Sequence, residues 1–455
     1  MKKNNYYSSL ILVFLFGLMT QAQTKKWTLE ECIQYALENN ISIKQTELDA
    51  KTAVIDKQSA VGNFLPSINV SSNHSWNIGL NQDITTGLLR NQTNQFTSAS
   101  ANVGIDIYKG LQNQNNLRRA NLAILASKYQ LLKMQEDVAL NVANAFLQVL
   151  FNKENLKVQQ EQLLNNEKQL NRSIELVNAG AIPRGDMLDI KANLAQNRQN
   201  LVSAENNLLI SKLSLAQLLQ LKEFENFDVI DEATVGQSNA ILSQSPSEIL
   251  EKAKETRTDL KIAQTNFEIA QKNLAIAKGA YLPTLQGFYG FNSRISYADA
   301  AAIVGGTLVT RSANPFWTQF QDNKGQSFGA QLTVPVFNGF SVKNNVERSK
   351  VALEKSKNNL QQQNLDLQRT IYAAFTDAKG ALNANETAIT SYEARKEAYL
   401  YAKEKFDVGL LNSFDFNQAQ SLMINAQSEV LRTKYDSIFK IKILEFYFGI
   451  QIIKK

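Results

Sequence analysis

Proline and glycine are scarce. The 455 residues contain six prolines and twenty glycines, and these cluster. A chain of this length ordinarily divides into two or three globular domains, but so little punctuation points to a few very long elements. The single cysteine, Cys32, excludes an internal disulfide framework. It falls in a helical pattern and is expected to be a small buried residue. The single histidine, His74, excludes metal sites and catalytic arrangements that need several. The sequence has no P-loop, dinucleotide-binding glycine fingerprint, HExxH or GxSxG. No enzyme, cofactor or metal is therefore expected.

Long apolar runs are missing too, with one exception. Lys2 and Lys3 precede Leu10–Met19, an apolar stretch of about ten residues, and Thr20–Ala22 offers a small residue for cleavage. This pattern predicts a secretory signal peptide over 1–22. The run is too short to span a membrane, which takes about 20 residues. No cysteine follows the cleavage point, so no bacterial lipid anchor is expected there. Lysine and arginine are interleaved with glutamate and aspartate along helical patterns. That describes solvated faces and not a nucleic-acid surface.

What is present is a duplication. "VGNFLPSINV" (Val61–Val70) matches "KGAYLPTLQGF" (Lys278–Phe288). "VGIDIYKGLQNQNN" (Val103–Asn116) matches "LTVPVFNGFSVKNN" (Leu332–Asn345), and "VANAF" (Val142–Phe146) matches "IYAAF" (Ile371–Phe375). Gly180 and Asp186 match Gly409 and Asp415. The offset is about 217 residues at the first pair and about 229 at the others. The chain after the signal is read as two copies of one unit, 23–243 and 244–455.

Each copy opens on a capping box, Thr28 with Glu31 and Ser245 with Glu248, and Pro246 stands at a first helical position. Helical patterns then run from Leu29 to Phe64 and from Ser247 to Tyr281, ending before Pro66 and Pro283. After each proline the period switches to two. Ile68, Val70, Trp76, Ile78 and Leu80 share one face and Asn69, Ser71, Asn73, Ser75 and Asn77 the other. His74 lies on the apolar face and is read as an interfacial residue. Strands are predicted over 67–80, 98–108, 284–297 and 326–337, with long connections at 81–97 and about 298–325. Phe288 interrupts the polar face of the third strand. Long strands with one apolar and one polar face fit an outer-membrane barrel or a soluble sheet on a core. The signal peptide and the helices favour the membrane. Four strands cannot close a membrane barrel, which takes about eight, so several chains would have to share one.

Gly110 and Gly339 end the strands and open the longest helices, 111–178 and 341–408. The first is about 68 residues, or about 100 Å at 1.5 Å per residue. Helices at 186–222 and 414–448 are about half as long. The long helices carry heptad seams: Leu117, Ile124, Leu131, Val138 and Ala145, then a shift to Leu156, Leu163, Leu170 and Val177. The second copy runs Val346, Leu353, Leu360, Leu367 and Ala374, then Tyr392, Tyr399 and Phe406. An inserted four residues locally unwinds a coiled coil. The fold class is mainly helical coiled coil with membrane β-strands, internally duplicated.

The ordered set of Pro66 and Pro283 junctions, Gly110 and Gly339 turns and two Gly-to-Asp tips resembles the bacterial outer-membrane efflux (TolC-like) family over essentially the whole mature chain. The resemblance implies a homotrimer in outer-membrane lipid. Three chains share a twelve-stranded barrel, and their helices form a periplasmic tunnel. It also implies a duct component of an efflux or type I secretion system. Its partners would be a periplasmic adaptor (membrane fusion protein) and an inner-membrane transporter of RND or ABC type. Gly180, Asp186, Val408, Gly409 and Leu410 would form the helical tips and adaptor-docking surface. Asp415 matches an acidic position of the tunnel constriction, where Gln418 replaces a second acid. The latch-forming tyrosine and arginine of the family pattern fall at Phe406 and Leu411, so the polar latch is not expected. An aspartate in a helix's first turn also stabilises the helix start, which is the other reading of Asp186 and Asp415. The segment 223–244 is expected to belt the tunnel's middle. The competing reading is a secreted or periplasmic coiled-coil scaffold without a pore, for which amphipathic strands would have no use.

Overall fold

A computed structural model describes residues 26–82, 89–222, 224–230 and 239–450. The expected signal peptide lies outside the described residues, as do residues 223 and 231–238 of the expected belt. The chain forms two compact units. One takes Met1–Leu48, Tyr129–Leu260 and Gln362–Lys455, and the other Asp49–Lys128 and Lys261–Gln361. Each unit draws on both copies of the repeat.

In chain order, the first copy holds β1 (Lys26–Trp27), α1 (Leu29–Asn39), α2 (Ile41–Gly62), β2 (Ser67–Gln82), β3 (Leu89–Lys109), α3 (Gln112–Asn178), α4 (Arg184–Leu219) and β4 (Asp228–Val229). A 3-10 turn (Asn239–Ser243) leads to α5 (Pro246–Thr256), α6 (Thr258–Gly279), β5 (Thr284–Ser296), β6 (Ala300–Val304) and β7 (Thr307–Arg311). The last elements are α7 (Phe316–Asp322), β8 (Gly325–Thr333), α8 (Ser341–Asp407) and α9 (Ser413–Phe448). Among the described residues no helix is long and apolar enough to cross a membrane.

The first unit is helical. Both capping boxes form, with the Glu31 N–H donating to Thr28 Oγ1 at 3.1 Å and the Glu248 N–H to Ser245 Oγ at 3.3 Å. Cys32 is fully buried beside Ile33, Val142, Phe146, Leu215 and Leu219. The second copy builds a matching cluster, in which Ile371 and Leu444 are buried and Phe375 packs against them. The repeated apolar pentads, Val142–Phe146 and Ile371–Phe375, thus serve equivalent cores. Every seam position of α3 and α8 is buried or half-buried in the single chain. Of the expected belt, β4 pairs in parallel with β1, and Asp228 accepts from Lys153 at 3.2 Å and Lys212 at 2.9 Å. Burial works to raise the Asp228 carboxyl, but the two lysines outweigh it and hold it below the usual range.

Each opening helix was expected to be continuous; instead it breaks once. Asn40 (ψ 129) separates α1 from α2, and Arg257 (ψ 126) separates α5 from α6. These residues are 217 apart, the offset of the repeat. Asn40 caps the next helix in the manner its side chain favours, accepting from the Ser42 N–H at 2.9 Å and donating to the Leu218 carbonyl at 3.1 Å. Arg257 has no such acceptor. Its buried guanidinium lies 3.6 Å from Glu136 and 3.0 Å from Asp259, and 4.4 Å over the Phe446 ring. Lys133 completes the group, 2.6 Å from Asp259. Burial raises the Glu136 carboxyl, and Arg257 and the Thr258 hydroxyl only partly offset it. Burial also works to raise Asp259, yet its bonds from Lys133 and Arg257 prevail and lower it.

The second unit holds an antiparallel sheet of order β2-β3-β5-β8. Its strands differ in extent from the alternation alone. The first expected connection is mostly ladder, because β2 runs to Gln82 and β3 starts at Leu89. The second contains the β6–β7 hairpin and α7. The β6–β7 hairpin turns on Gly305 and Gly306, both with positive φ, as a two-residue mirror-image turn requires. The fourth strand ends at Thr333, short of the expected 337, because Pro335 has no N–H for the ladder. Phe288, on the polar face, lies over the backbone of Gly329 across the strand pair, an aromatic cover for a bare glycine.

Candidate functional site

Two places in the chain carry the residues singled out from sequence: the helix-to-helix tips in the first unit, and the sheet with its junctions in the second.

At the first tip α3 ends on Gly180 (φ 73), and at the second α8 ends on Gly409 (φ 74). Only a residue without a Cβ adopts this conformation freely. The Ala181 N–H reaches back to the Leu176 carbonyl at 2.8 Å, and the Leu410 N–H to that of Lys405 at 2.8 Å, the pattern that closes a helix C-terminus. The next helices start at Pro183 and Asn412. Pro183 makes no side-chain cap. Asn412 accepts from the Asp415 N–H at 2.8 Å, and its own amide donates to the Asp415 carboxylate at 3.0 Å.

The structure brings the tips together through a residue the sequence reading did not single out. The buried Ser413 hydroxyl lies 2.9 Å from Asp186 Oδ1 and 3.1 Å from Asp189 Oδ2. Beneath them Phe406 stacks on Phe416 at 4.8 Å, and both are buried with Ile190 while Leu170, Tyr399 and Leu411 pack around them. Phe406 and Leu411, at the latch positions, therefore belong to an apolar cluster. Burial pushes the Tyr399 hydroxyl up. One turn back along α3, Asn166 accepts from Gln420 at 2.7 Å and from Gln162 at 3.1 Å, a polar layer inside the bundle. Val408, Leu410 and Phe414 are exposed apolar residues at the second tip, and Asp415 and Gln418 are exposed as well. Serine at a first helical position carries no special pattern, so only the fold reveals its link to Asp186. Phe414 was legible as an apolar residue beside a turn.

In the sheet, Ile68, Val70, Ile78, Leu80, Phe328 and Leu332 share one face and are all exposed, with Val70 79% and Phe328 83% accessible. The opposite face carries Asn69, Ser71, Asn73, Asn102, Gln286 and Gln331. There Ser71 and Ser100 share a hydrogen bond of 2.7 Å. His74 sits on the apolar face against Trp76 at 4.2 Å, and its Nδ1 meets the Thr97 hydroxyl at 2.8 Å. Pro66 and Pro283 each precede the first residue of a strand. Gly110 and Gly339 turn the chain back into helix with positive φ, and so do the residues that follow them, Leu111 and Phe340. A side chain on Gly110 would run into the Gly279 carbonyl. Among the described residues no cluster of His, Cys, Asp or Glu has the form of a metal site.

An apolar face without a core to cover it, in a chain that also carries a duplicated pair of helical hairpins, defines a membrane protein whose strands meet lipid. The chain matches the outer membrane efflux protein family over residues 32–220 and 249–438, one match in each copy. It is 21% identical to the outer membrane protein TolC of Escherichia coli over 439 residues, 94% of this chain and 83% of that one. The fold is similar to the outer membrane protein VceC of Vibrio cholerae, with a TM-score of 0.76 at 14% identity, covering 92% of this chain and 96% of that one. It is also similar to the CmeC outer membrane channel of Campylobacter jejuni, with a TM-score of 0.73 at 18% identity, covering 92% and 85%. The chain belongs to the outer membrane efflux protein family, and it is an outer-membrane efflux channel.

Proposed function

We propose that three copies of this chain form one duct, sharing a twelve-stranded barrel in the outer membrane and a helical tunnel in the periplasm. The observation that carries this reading is the sheet. It has four strands, its two edges β2 and β8 find no further partner within it, and its apolar face is exposed. Four strands cannot close a barrel, whereas twelve fall within the range of outer-membrane barrels. Unpaired edges in lipid leave each backbone group unsatisfied at a cost of several kcal/mol, so the edges call for copies of each other.

The tips serve as the docking surface for a periplasmic adaptor. Gly180 and Gly409 set their shape, and Val408 and Leu410 are exposed on the second. The adaptor in turn connects the duct to an inner-membrane transporter of RND or ABC type, in an efflux or type I secretion assembly. The duct is passive and the transporter supplies the work. Asp415 and Gln418 line the constriction, with one acid per chain. Native mass spectrometry of the mature chain in detergent tests the assembly. A three-chain mass is expected, and a stable one-chain or two-chain mass counts against it.

A further inference from the structure

The helix α7 has no counterpart among the described residues of the first copy and lies where the sheet would otherwise be bare. Strand β5 outruns β8, whose pairing stops at Asn292 with Gly325. The backbone beyond is satisfied by amide side chains from and beside α7. The Ser296 N–H donates to Gln319 Oε1 at 2.9 Å, Gln319 Nε2 donates to the Ser296 carbonyl at 2.8 Å, and Asn323 Nδ2 donates to the Arg294 carbonyl at 2.7 Å. A helix thus closes a strand edge that would otherwise invite another strand.

The side on which α7 lies is fixed by its contacts. The Ser293 hydroxyl donates to the Phe320 carbonyl at 2.9 Å, and the Phe320 ring meets Phe291 at 5.9 Å. Phe291, Ser293 and Ile295 alternate on the apolar face, in register with Ala101, Ala99 and Thr97. Ile295 is fully buried there, while Ile78 of the same face is 82% exposed. The helix therefore sits on the apolar side of the sheet. Trp317 stands 72% exposed on it, in edge contact with Phe316 at 5.1 Å and Phe320 at 5.8 Å. The same end of the sheet carries Tyr297, whose hydroxyl lies 3.0 Å from that of Thr97, and beside it His74 and Trp76. From Leu285 to Ile295 the strand rises about 33 Å. At the usual tilt of barrel strands that is about 25 Å along the membrane normal, the height of an apolar band with an aromatic girdle at each edge.

We propose that α7 is an interfacial anchor, which places Phe316 and Trp317 at the boundary between acyl chains and headgroups of the lipid around the barrel. Aromatic rings with a polar edge favour that boundary, and the helix face is continuous with the lipid-facing face of the sheet. The inference rests on the reading that the sheet spans the membrane, and its test separates the two.

The chain has three tryptophans, Trp27, Trp76 and Trp317. The test reconstitutes the full mature chain, as Trp27→Phe/Trp76→Phe or as Trp27→Phe/Trp317→Phe, into phosphatidylcholine vesicles. The lipids carry bromine either near the glycerol or near the chain ends. Trp317 is expected to be quenched most by bromine near the glycerol, at a depth of about 5–10 Å, and Trp76 is expected to be quenched too. Quenching of Trp76 without Trp317 would overturn the anchor and leave the barrel standing. Quenching of neither would overturn the spanning sheet. Strongest quenching of Trp317 by chain-end bromine would contradict an interfacial position. The same depth is read without altering Trp27 or Trp76, from the quenching lost between the wild-type chain and Trp317→Phe.

Discussion

At the first tip the chain turns on Gly180, whose N–H bonds the Val177 carbonyl at 3.0 Å; at the second, on Gly409, whose N–H bonds the Phe406 carbonyl at 3.0 Å. The backbones repeat residue for residue, yet the supporting side chains do not. Asp415 holds its own helix start through Asn412, whereas Asp186, at the matching position, accepts from Ser413 of the other tip. The two helix breaks behave alike. Asn40 and Arg257 share a backbone conformation, but one is a small amide that caps the helix following it and the other a buried cation held by two carboxylates and an aromatic ring. After duplication, this chain keeps its backbone geometry and reassigns the groups that stabilise it. Backbone turns are set by a few residues with special φ and ψ, while stabilising partners depend on whatever packs alongside.

The comparison can be broken most forcefully at the helix breaks. Arg257→Met should cost about 3 kcal/mol or more, because it leaves Glu136 half-buried without its cation and Asp259 with Lys133 alone. Denaturant unfolding of the chain in detergent reads this directly, and a cost below that of Asn40→Ala would contradict the asymmetry. At the tips, Gly180→Val and Gly409→Val should each cost about 1–2 kcal/mol, the penalty for a side chain in the left-handed region. Nothing else crowds either position, so asparagine, which tolerates that region, should recover most of the loss at both. Recovery at one tip alone would show that the backbones are not equivalent. Asn40→Ala should cost about 1 kcal/mol as the loss of a cap.

Acidification sharpens the difference between the two carboxylates beside Arg257. Glu136 holds its proton more readily folded than unfolded, so stability should rise as pH falls from its raised value towards 4.5. Asp259 is lowered, so the stability it contributes should be lost as pH falls below 3.8 through its folded value. Glu136→Gln should remove the first limb of the stability profile and Asp259→Asn the second. The smallest effect is expected at the second tip. Asp415→Ala should raise the conductance of the closed channel and reduce its sensitivity to divalent cations. Unchanged values in both would leave Asp415 as a helix-start residue only.

Much of this architecture was legible in the sequence, since long helices announce themselves by the absence of glycine and proline. The limits of α3 and α8 fall within one residue of the expected ones, and both capping boxes and all four glycine turns lie where expected. The helix break at Asn40 had a local signal, an asparagine before an apolar helical run, but Arg257 had none. Its conformation is held by Glu136 and Phe446, more than a hundred residues away in sequence. The β6–β7 hairpin is marked in the sequence only by Gly305-Gly306, within what the alternation reads as one long connection. Helix α7 is too short for periodicity to reveal, and its hold on the sheet through Gln319 and Asn323 exists only once β5 has outrun its neighbour. At the tips the glycines and aspartates were readable, but the Ser413 link between them was not, because it joins residues 227 apart in sequence.

The most direct test of the duct is single-channel current in a planar bilayer, made with detergent-purified mature protein of known oligomeric mass. A stable, long-lived conductance from a trimer is the predicted result. A monomer or dimer that never enters the bilayer would contradict a barrel shared among three chains.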